Sequence, residues 1–523
     1  MTRPPPLIPG LAVEPIPGAV PAWRASCEAK SWLAACTAVA QGGGRLAALW
    51  ASDERDARGG FAVHAALVTY EGLLWLELPV AEAQPAFPDL SGIFACAGRM
   101  QRALFDLMGL EARSAGAGAR PDPRGWLRHG AWREDAHPLR RDIAAHAPLA
   151  TGDPRYAFVA VEGDGVHEIA VGPVHAGTIE PGHFRFSVVG ERVLRLEQHL
   201  GYKHKGIEKR FESLSLAEGA RLAGRVSGDS TGAYAWAYAM ALEGIAGVQP
   251  GARALHLRAL LLERERLANH LGDLGFLGND GGLAFGLAQF SRLKEDLLRL
   301  NARLFGHRYL MDRVVPGGVA IDVDGAASEE ILAECTRLRA ELRALRAIYY
   351  DHAGLQDRCI GCGRLTPQTA ALLGVVGPAA RASGHAMDAR AHPGFAPYPE
   401  LQPGIASHRN GDVAARIVVR FEEAFESIEL QRRILRHLPG GALREPLGEA
   451  QPGRWGFGWV EGWRGEVLVA LQAGAAGRVR RCHPHDPSWQ NWPALEHAIL
   501  GNIVPDFPLI NKSFNLSYAG ADL

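Results

Sequence analysis

Residues 225–243 read RVSGDSTGAYAWAYAMALE. The stretch begins with small polar residues, Ser227, Gly228, Asp229, Ser230 and Thr231, and then turns apolar and aromatic. It sits inside 209–246, which reads as helical. The same spacing, apolar residues three and four apart, recurs over 253–278, 286–308, 327–353 and 411–438. Five such segments in succession predict a long-helix bundle in the middle of the chain.

Towards the N-terminus the pattern changes. FAVHAALVTY (61–70), RLAALWAS (45–52) and LLWLELPV (73–80) are β-prone runs separated by Gly and charged turns, and CAGRMQRALFDLMGL (96–110) follows with helical spacing. The Gly, Pro and Arg segment 114–125 breaks all periodicity and reads as a surface loop. From 155, YAFVAVEG, HEIAVGPV and HFRFSVVGERVLRLEQ read as strands; beyond the bundle, 455–482 reads as a hairpin, and the tail as one short helix with a Pro-rich exit. The fold class expected is α+β: a small α+β domain over 1–150, then a bundle of long helices with peripheral β strands over 151–523.

Composition narrows the function. Lys+Arg 56 against Asp+Glu 57 leaves a net charge of -1, with no basic stripe to meet phosphate, so nucleic acid is not an expected partner. No apolar run reaches the roughly 18 residues that span a bilayer, and the start, MTRPPPLIPG, lacks the apolar region of a secretory signal. Seven cysteines scattered over 523 residues do not form a disulfide framework and fit a reducing compartment.

Several residues carry chemistry only in combination. His175 lies in VGPVHAGTIEPGHFRF (171–186) among small residues that leave room for an approaching group; alone, a histidine in a turn is an ordinary surface or core residue. His204, Lys205, Glu208 and Lys209 in HLGYKHKGIEKRFE read as a charged helix face, and Glu263 to Arg266 as intrahelical pairs. Cys359 and Cys362 in DRCIGCGR make half of a zinc site or a redox pair, with Cys482 and His485 of CHPH as a candidate second half.

The order of motifs adds what the single motifs lack. GPVHAGTIEPGHFRF, GYKHKGIEKR, RVSGDSTGAYAWAYAMALE, LLLERERLANHLGDLGFLGNDGGLAFG, RASGHAMDARAHPGF and NWPALEHAILGNIVPDFPLINKSF together resemble the large subunit of membrane-bound [NiFe] hydrogenases and the quinone-site core subunit of respiratory complex I. LFDLMGLEA and AWREDAHPLRRDI resemble the adjoining small hydrophilic complex I subunit, fused in front. In the hydrogenases the first stretch resembles an Arg-x-Cys-Gly-x-Cys motif and the chain's last residues a Cys-x-x-Cys motif. Here those places hold Ser227, Ser230, Ser517 and Gly520, between Arg225, Gly228 and the tail SFNLSYAGADL. Hydroxyls and a hydrogen atom do not replace soft thiolates. The expectation is a metal site without its ligands, its backbone frame kept, and no active [NiFe] hydrogenase.

The resemblance implies the complex I use of the same cleft. It places His175 and Tyr238 at a quinone headgroup and Asp280 beside that histidine, with Arg381 and Asp388 of RASGHAMDAR, followed by Arg390, near the cleft floor as a proton relay or a buried ion pair. Reducing a quinone builds charge on two oxygens, so two donors are wanted, and an adjacent carboxylate raises the histidine's pKa. Tyr234 lies one turn before Tyr238 and competes for the same role. The expected protein binds no cofactor directly and takes quinone as substrate. It receives electrons from a [4Fe–4S] cluster in an iron-sulfur partner subunit, and sits peripherally on the cytoplasmic side of the membrane above antiporter-like subunits. The alternatives are a cofactorless structural or coupling subunit and a free-standing zinc enzyme built on Cys359 and Cys362.

Overall fold

The computed structural model describes residues 8, 10–114, 121–176 and 179–523. Residues 115–120 of the expected loop, most of the start MTRPPPLIPG, and Gly177 and Thr178 of the His175 motif lie outside the described residues. The fold is α+β, as the periodicities indicate.

The N-terminal part builds a five-stranded sheet in the order Glu14–Pro15, Ala22–Ser26, Leu73–Ala81, Gly60–Val68, Arg45–Asp53. Ala22–Ser26 and Leu73–Ala81 run parallel, and the remaining pairs are antiparallel. The three long strands are buried along almost their whole length, so they read as near-continuous apolar runs with weak alternation. Helix Ala97–Met108 packs on Arg45–Asp53. Trp50 of this sheet stacks on His483, and Trp75 meets Trp455 edge to face, so the N-terminal sheet leans on the C-terminal one. Side chains tie the seam as well: Gln490 donates to the Ala47 carbonyl at 2.6 Å and Arg481 to that of Ala51 at 2.8 Å.

The helical body centres on Ala252–Asp280, which packs against Ala284–Phe305 and Val413–Arg436. Helix Thr231–Ala246 is apolar nearly all round and almost wholly buried, as such a helix must be. It lies so close to the hairpin Trp455–Gly462/Gly465–Ala473 that a Cβ on Gly456 or Gly458 would fall 2.0 or 1.8 Å from the carbonyls of Ala241 and Ala237. That contact fixes the hairpin turn, with Arg464, beside the start of the helix.

Three expectations need correction. The run 156–163 forms no strand: side chains take its backbone groups instead, Arg124 donating to the Ala157 carbonyl and the Val159 N–H to Glu197, each at 2.8 Å, and the Tyr156 hydroxyl accepts from Arg102 at 2.8 Å. The helix expected over 209–246 is three, Ile207–Phe211, Leu216–Ala223 and Thr231–Ala246, interrupted by the 225–230 turn that carries Ser227. The stretch 491–514, expected to hold one short helix, holds most of Ser488–Ala498 and all of Phe507–Phe514, and Tyr518–Asp522 follows it. No described helix is long and apolar enough to cross a membrane.

Candidate functional site

Ser227 and Ser517, 290 residues apart in the chain, stand with their hydroxyl oxygens 3.0 Å from each other. Ser227 gives its proton to Asp229 at 2.9 Å. A hydroxyl carries one proton, so it is Ser517 that donates across the pair. Ser517 in turn caps helix Tyr518–Asp522 by accepting from the Gly520 N–H at 2.9 Å. The result is a directed chain, Gly520 N–H to Ser517 to Ser227 to the Asp229 carboxylate.

Arg464 closes the other side. Its guanidinium grips Asp229 with two bonds of 2.7 and 2.6 Å, donates to the Asn515 carbonyl at 2.6 Å, reaches Ser230 Oγ at 3.4 Å and lies over the Trp463 ring. Burial works to raise the Asp229 pKa, but Arg464 and Ser227 outweigh it and hold the group below its ordinary value. Behind the turn, Glu265 accepts from the Gly232 and Ala233 amides at 2.6 and 3.2 Å, satisfying donors that the first turn of the helix leaves free. Burial pushes its pKa up to about 8.

The fourth position is occupied. An ideal Cβ on Gly520 would stand 2.2 Å from Asp486 Oδ2, so the carboxylate fills the space a side chain there would need. Asp486 is buried and held by the Tyr234 hydroxyl at 2.7 Å and the Ser488 amide at 2.8 Å. A soft-metal centre does not fit these residues. The Ser227 and Ser517 hydroxyls are committed to each other and to Asp229, Ser230 faces the Arg464 cation, and the place beside residue 520 belongs to a hard carboxylate.

The remaining expected residues are dispersed. His175 Nε2 stands 3.5 Å from the hydroxyl of Tyr518, the residue after Ser517, and its ring lies edge-on to Phe184. Burial lowers its pKa, and no neighbouring carboxylate acts on it in the way the paired-acid expectation requires. Asp280 ends the long helix Ala252–Asp280 and accepts from its neighbour Asn279 at 3.3 Å. Tyr238 turns away from the serines: its hydroxyl donates to the Leu216 carbonyl at 2.8 Å and its ring stacks on Phe211. The tyrosine that faces the site is Tyr234.

Arg381 and Asp388 lie fully inside, in a network with Glu423, Glu461, Arg390 and Glu263. Arg266 and Glu263 prove to be members of that network as well, beyond a simple intrahelical pair. Glu208, expected on a solvated face, is buried against Arg481 and His483 at 2.6 and 2.8 Å. Cys359 is buried and Cys362 half-buried, and burial pushes their thiols up to about 12 and about 11. Among the described residues, no group of three or more His, Cys, Asp or Glu side chains gathers to hold a metal ion. Sequence reasoning missed Tyr518, Asp486 and Arg464; only the Arg464 position, at a two-residue hairpin turn between Gly462 and Gly465, carried a local signal.

The chain matches two family profiles, the respiratory-chain NADH dehydrogenase 49 kDa subunit over residues 280–452 and the 30 kDa subunit over residues 25–148. It is 32% identical over 490 residues to formate hydrogenlyase subunit 5 of Escherichia coli, covering 92% of this chain and 85% of the relative. It is 31% identical over 356 residues to the carbon monoxide-induced hydrogenase of Rhodospirillum rubrum, covering 67% of this chain and 97% of the relative. A chain of the membrane-bound sulfane sulfur reductase, an archaeal respiratory membrane complex, shares the fold with a TM-score of 0.64 over 68% of this chain and 98% of its own length, at 24% identity.

Proposed function

The chain belongs to the family of formate hydrogenlyase subunit 5 and the NADH dehydrogenase 49 kDa subunit, with a 30 kDa-type region in front; from that premise we propose that it is the metal-free core subunit of a complex I-like membrane assembly. The observation that carries the reading is the closed serine site. Ser227 and Ser517 are bonded to each other, and Asp486 fills the space beside Gly520. Electrons come from an iron-sulfur partner subunit, since the chain offers no thiolate cluster of its own.

A quinone-type acceptor is received beside the closed site, where His175 meets Tyr518 on the serine-bearing tail. The two side chains supply a donor for each oxygen of the reduced headgroup. Proton and charge changes there bias ion-translocating partner subunits in the membrane, by shifting the balance between states of the coupled assembly. The second reading is a coupling subunit without redox chemistry of its own. It draws support from the same closure, which leaves Ser227, Ser517 and Asp229 fully engaged with one another.

The test uses the purified assembly. Its iron-sulfur cluster is reduced, a short-chain quinone is added, and reoxidation is followed in wild type, His175→Ala, Tyr518→Phe and Tyr238→Phe. Slow reoxidation in the first two variants and wild-type kinetics in the third are expected. Wild-type kinetics in all three variants would leave the coupling role alone standing.

A further inference from the structure

Eight residues, each at most 3% exposed, meet in the centre of the helical body: Glu263, Asp388, Glu423 and Glu461 as acids, Arg266, Arg381 and Arg390 as cations, and His270. Glu263 binds Arg390 at 2.9 Å and lies 3.6 Å from Arg266, and it accepts from the Tyr398 and Ser427 hydroxyls at 2.7 Å each. Asp388 sits between Arg390, at 2.6 Å, and Arg381, at 3.6 Å. Glu423 touches Arg266 and Arg381 at 2.7 Å each and His270 at 3.1 Å. Glu461 has one guanidinium, Arg381 at 2.9 Å, and the Ala389 amide at 3.2 Å. The next buried arginine, Arg420, is engaged by its own acid, Asp273, at 2.6 Å.

Four carboxylates against three guanidiniums leave one negative charge uncompensated among buried side chains, which favours uptake of a proton by the cluster. The geometry says where. Each of the other three acids has at least two guanidinium or imidazole partners within 4 Å, whereas Glu461 has one; Arg266 and Arg45 act on it from further off, and Asp388 faces it as a like charge. Burial, reinforced by Asp388, accordingly pushes the Glu461 pKa up to about 7, while Arg390 and Arg381 overcome burial to hold Asp388 at about 2. His270 is the other possible holder, but burial lowers its pKa.

Glu461 and Asp388 also line a cavity of about 210 Å³ on the seam between the N-terminal sheet and the helical body. Arg45, Val68, Tyr70, Met387, His392 and Glu466 are among the other residues of its wall, and the Arg45 guanidinium is spent on Glu466. Tyr70 and Met387 are 93% and 41% exposed, so the cavity opens to solvent, and its volume accommodates several waters.

We propose that the buried cluster is a proton-loading site, that Glu461 carries its one exchangeable proton, and that the seam cavity is the water-filled port through which this proton enters and leaves. The site needs no acceptor at His175, so it stands or falls separately from the quinone reading.

Infrared pH-difference spectra of the full-length protein, purified with the subunits it carries, test it. The difference between wild type and Glu461→Gln should contain one protonated-carboxyl band, present in acid and lost as pH rises through about 7. In Met387→Cys, a bulky thiol reagent should slow deuterium exchange of that band, with reagent-treated wild type as the control. A difference without the band would overturn the assignment to Glu461, and unchanged exchange after the block would overturn the port. Should Glu461→Gln not fold, Glu461→Asp takes its place: it keeps an acid and should shift the band, and an unshifted band would overturn the assignment.

Discussion

Asp486 Oδ2 lies 2.2 Å from where a Cβ on Gly520 would stand. The glycine and the carboxylate are therefore one structural unit: the residue at 520 is side-chain-free because the acid is there.

Gly520→Ala should destabilise the protein by about 1–3 kcal/mol through overpacking, read from urea unfolding. In the Asp486→Ser background the penalty should shrink, giving a measurable coupling energy between the two positions. Placing cysteine at 227, 230, 517 and 520 together should yield no stoichiometric nickel by elemental analysis while Asp486 remains. Nickel bound by that quadruple variant would sink the closed-site reading.

Tyr238→Phe removes a buried hydroxyl and strands the Leu216 carbonyl, so it should cost about 1–3 kcal/mol of stability. Its effect on turnover should be absent. Tyr234→Phe strips a donor from Asp486 and should alter the serine site instead, visible as a changed pH profile of turnover.

Glu265 makes stability depend on pH with a definite sign. Its native pKa is raised from the ordinary 4.5 to about 8, so between those values the native state holds a proton that the unfolded state has released. Stability should fall as pH rises across that window, by an amount on the order of a few kcal/mol for this group. Glu265→Gln should flatten the slope in thermal melts taken at several pH values. An unchanged slope would mean that Glu265 is ionised in the native protein.

Gly458→Ala forces a Cβ to within 1.8 Å of the Ala237 carbonyl, and backbone cannot swing aside as a flexible side chain does. We expect loss of at least about 3 kcal/mol or failure to fold, at the upper end of overpacking costs. Circular dichroism and denaturant melts suffice. Gly228→Ala, where nothing stands within 4 Å of the added carbon, is the matched control.

The sequence by itself determined the local elements whose cause is local. The spacing of apolar residues over 253–278, 286–308, 327–353 and 411–438 returns as Ala252–Asp280, Ala284–Phe305, Gly325–Asp351 and Val413–Arg436, because a helix's hydrogen bonds and its buried face are both set within a few residues. The resemblance of two distant stretches to hydrogenase motifs is what put Ser227, Ser230, Ser517 and Gly520 into one expected set; that Ser227 bonds to Ser517 is visible only in the folded chain. What only the tertiary structure decided is everything that depends on partners distant in the chain. The 156–163 run has strand-like residues, but no neighbouring strand takes its backbone bonds. Tyr234 and Tyr238 lie on one helix face a turn apart, and only the chain segments that pack beside each turn send one to Asp486 and the other to Leu216. The buried acids and arginines look like surface pairs when read along one helix. Burial, which makes their charge balance matter, comes from Val413–Arg436 and the hairpin folding over them.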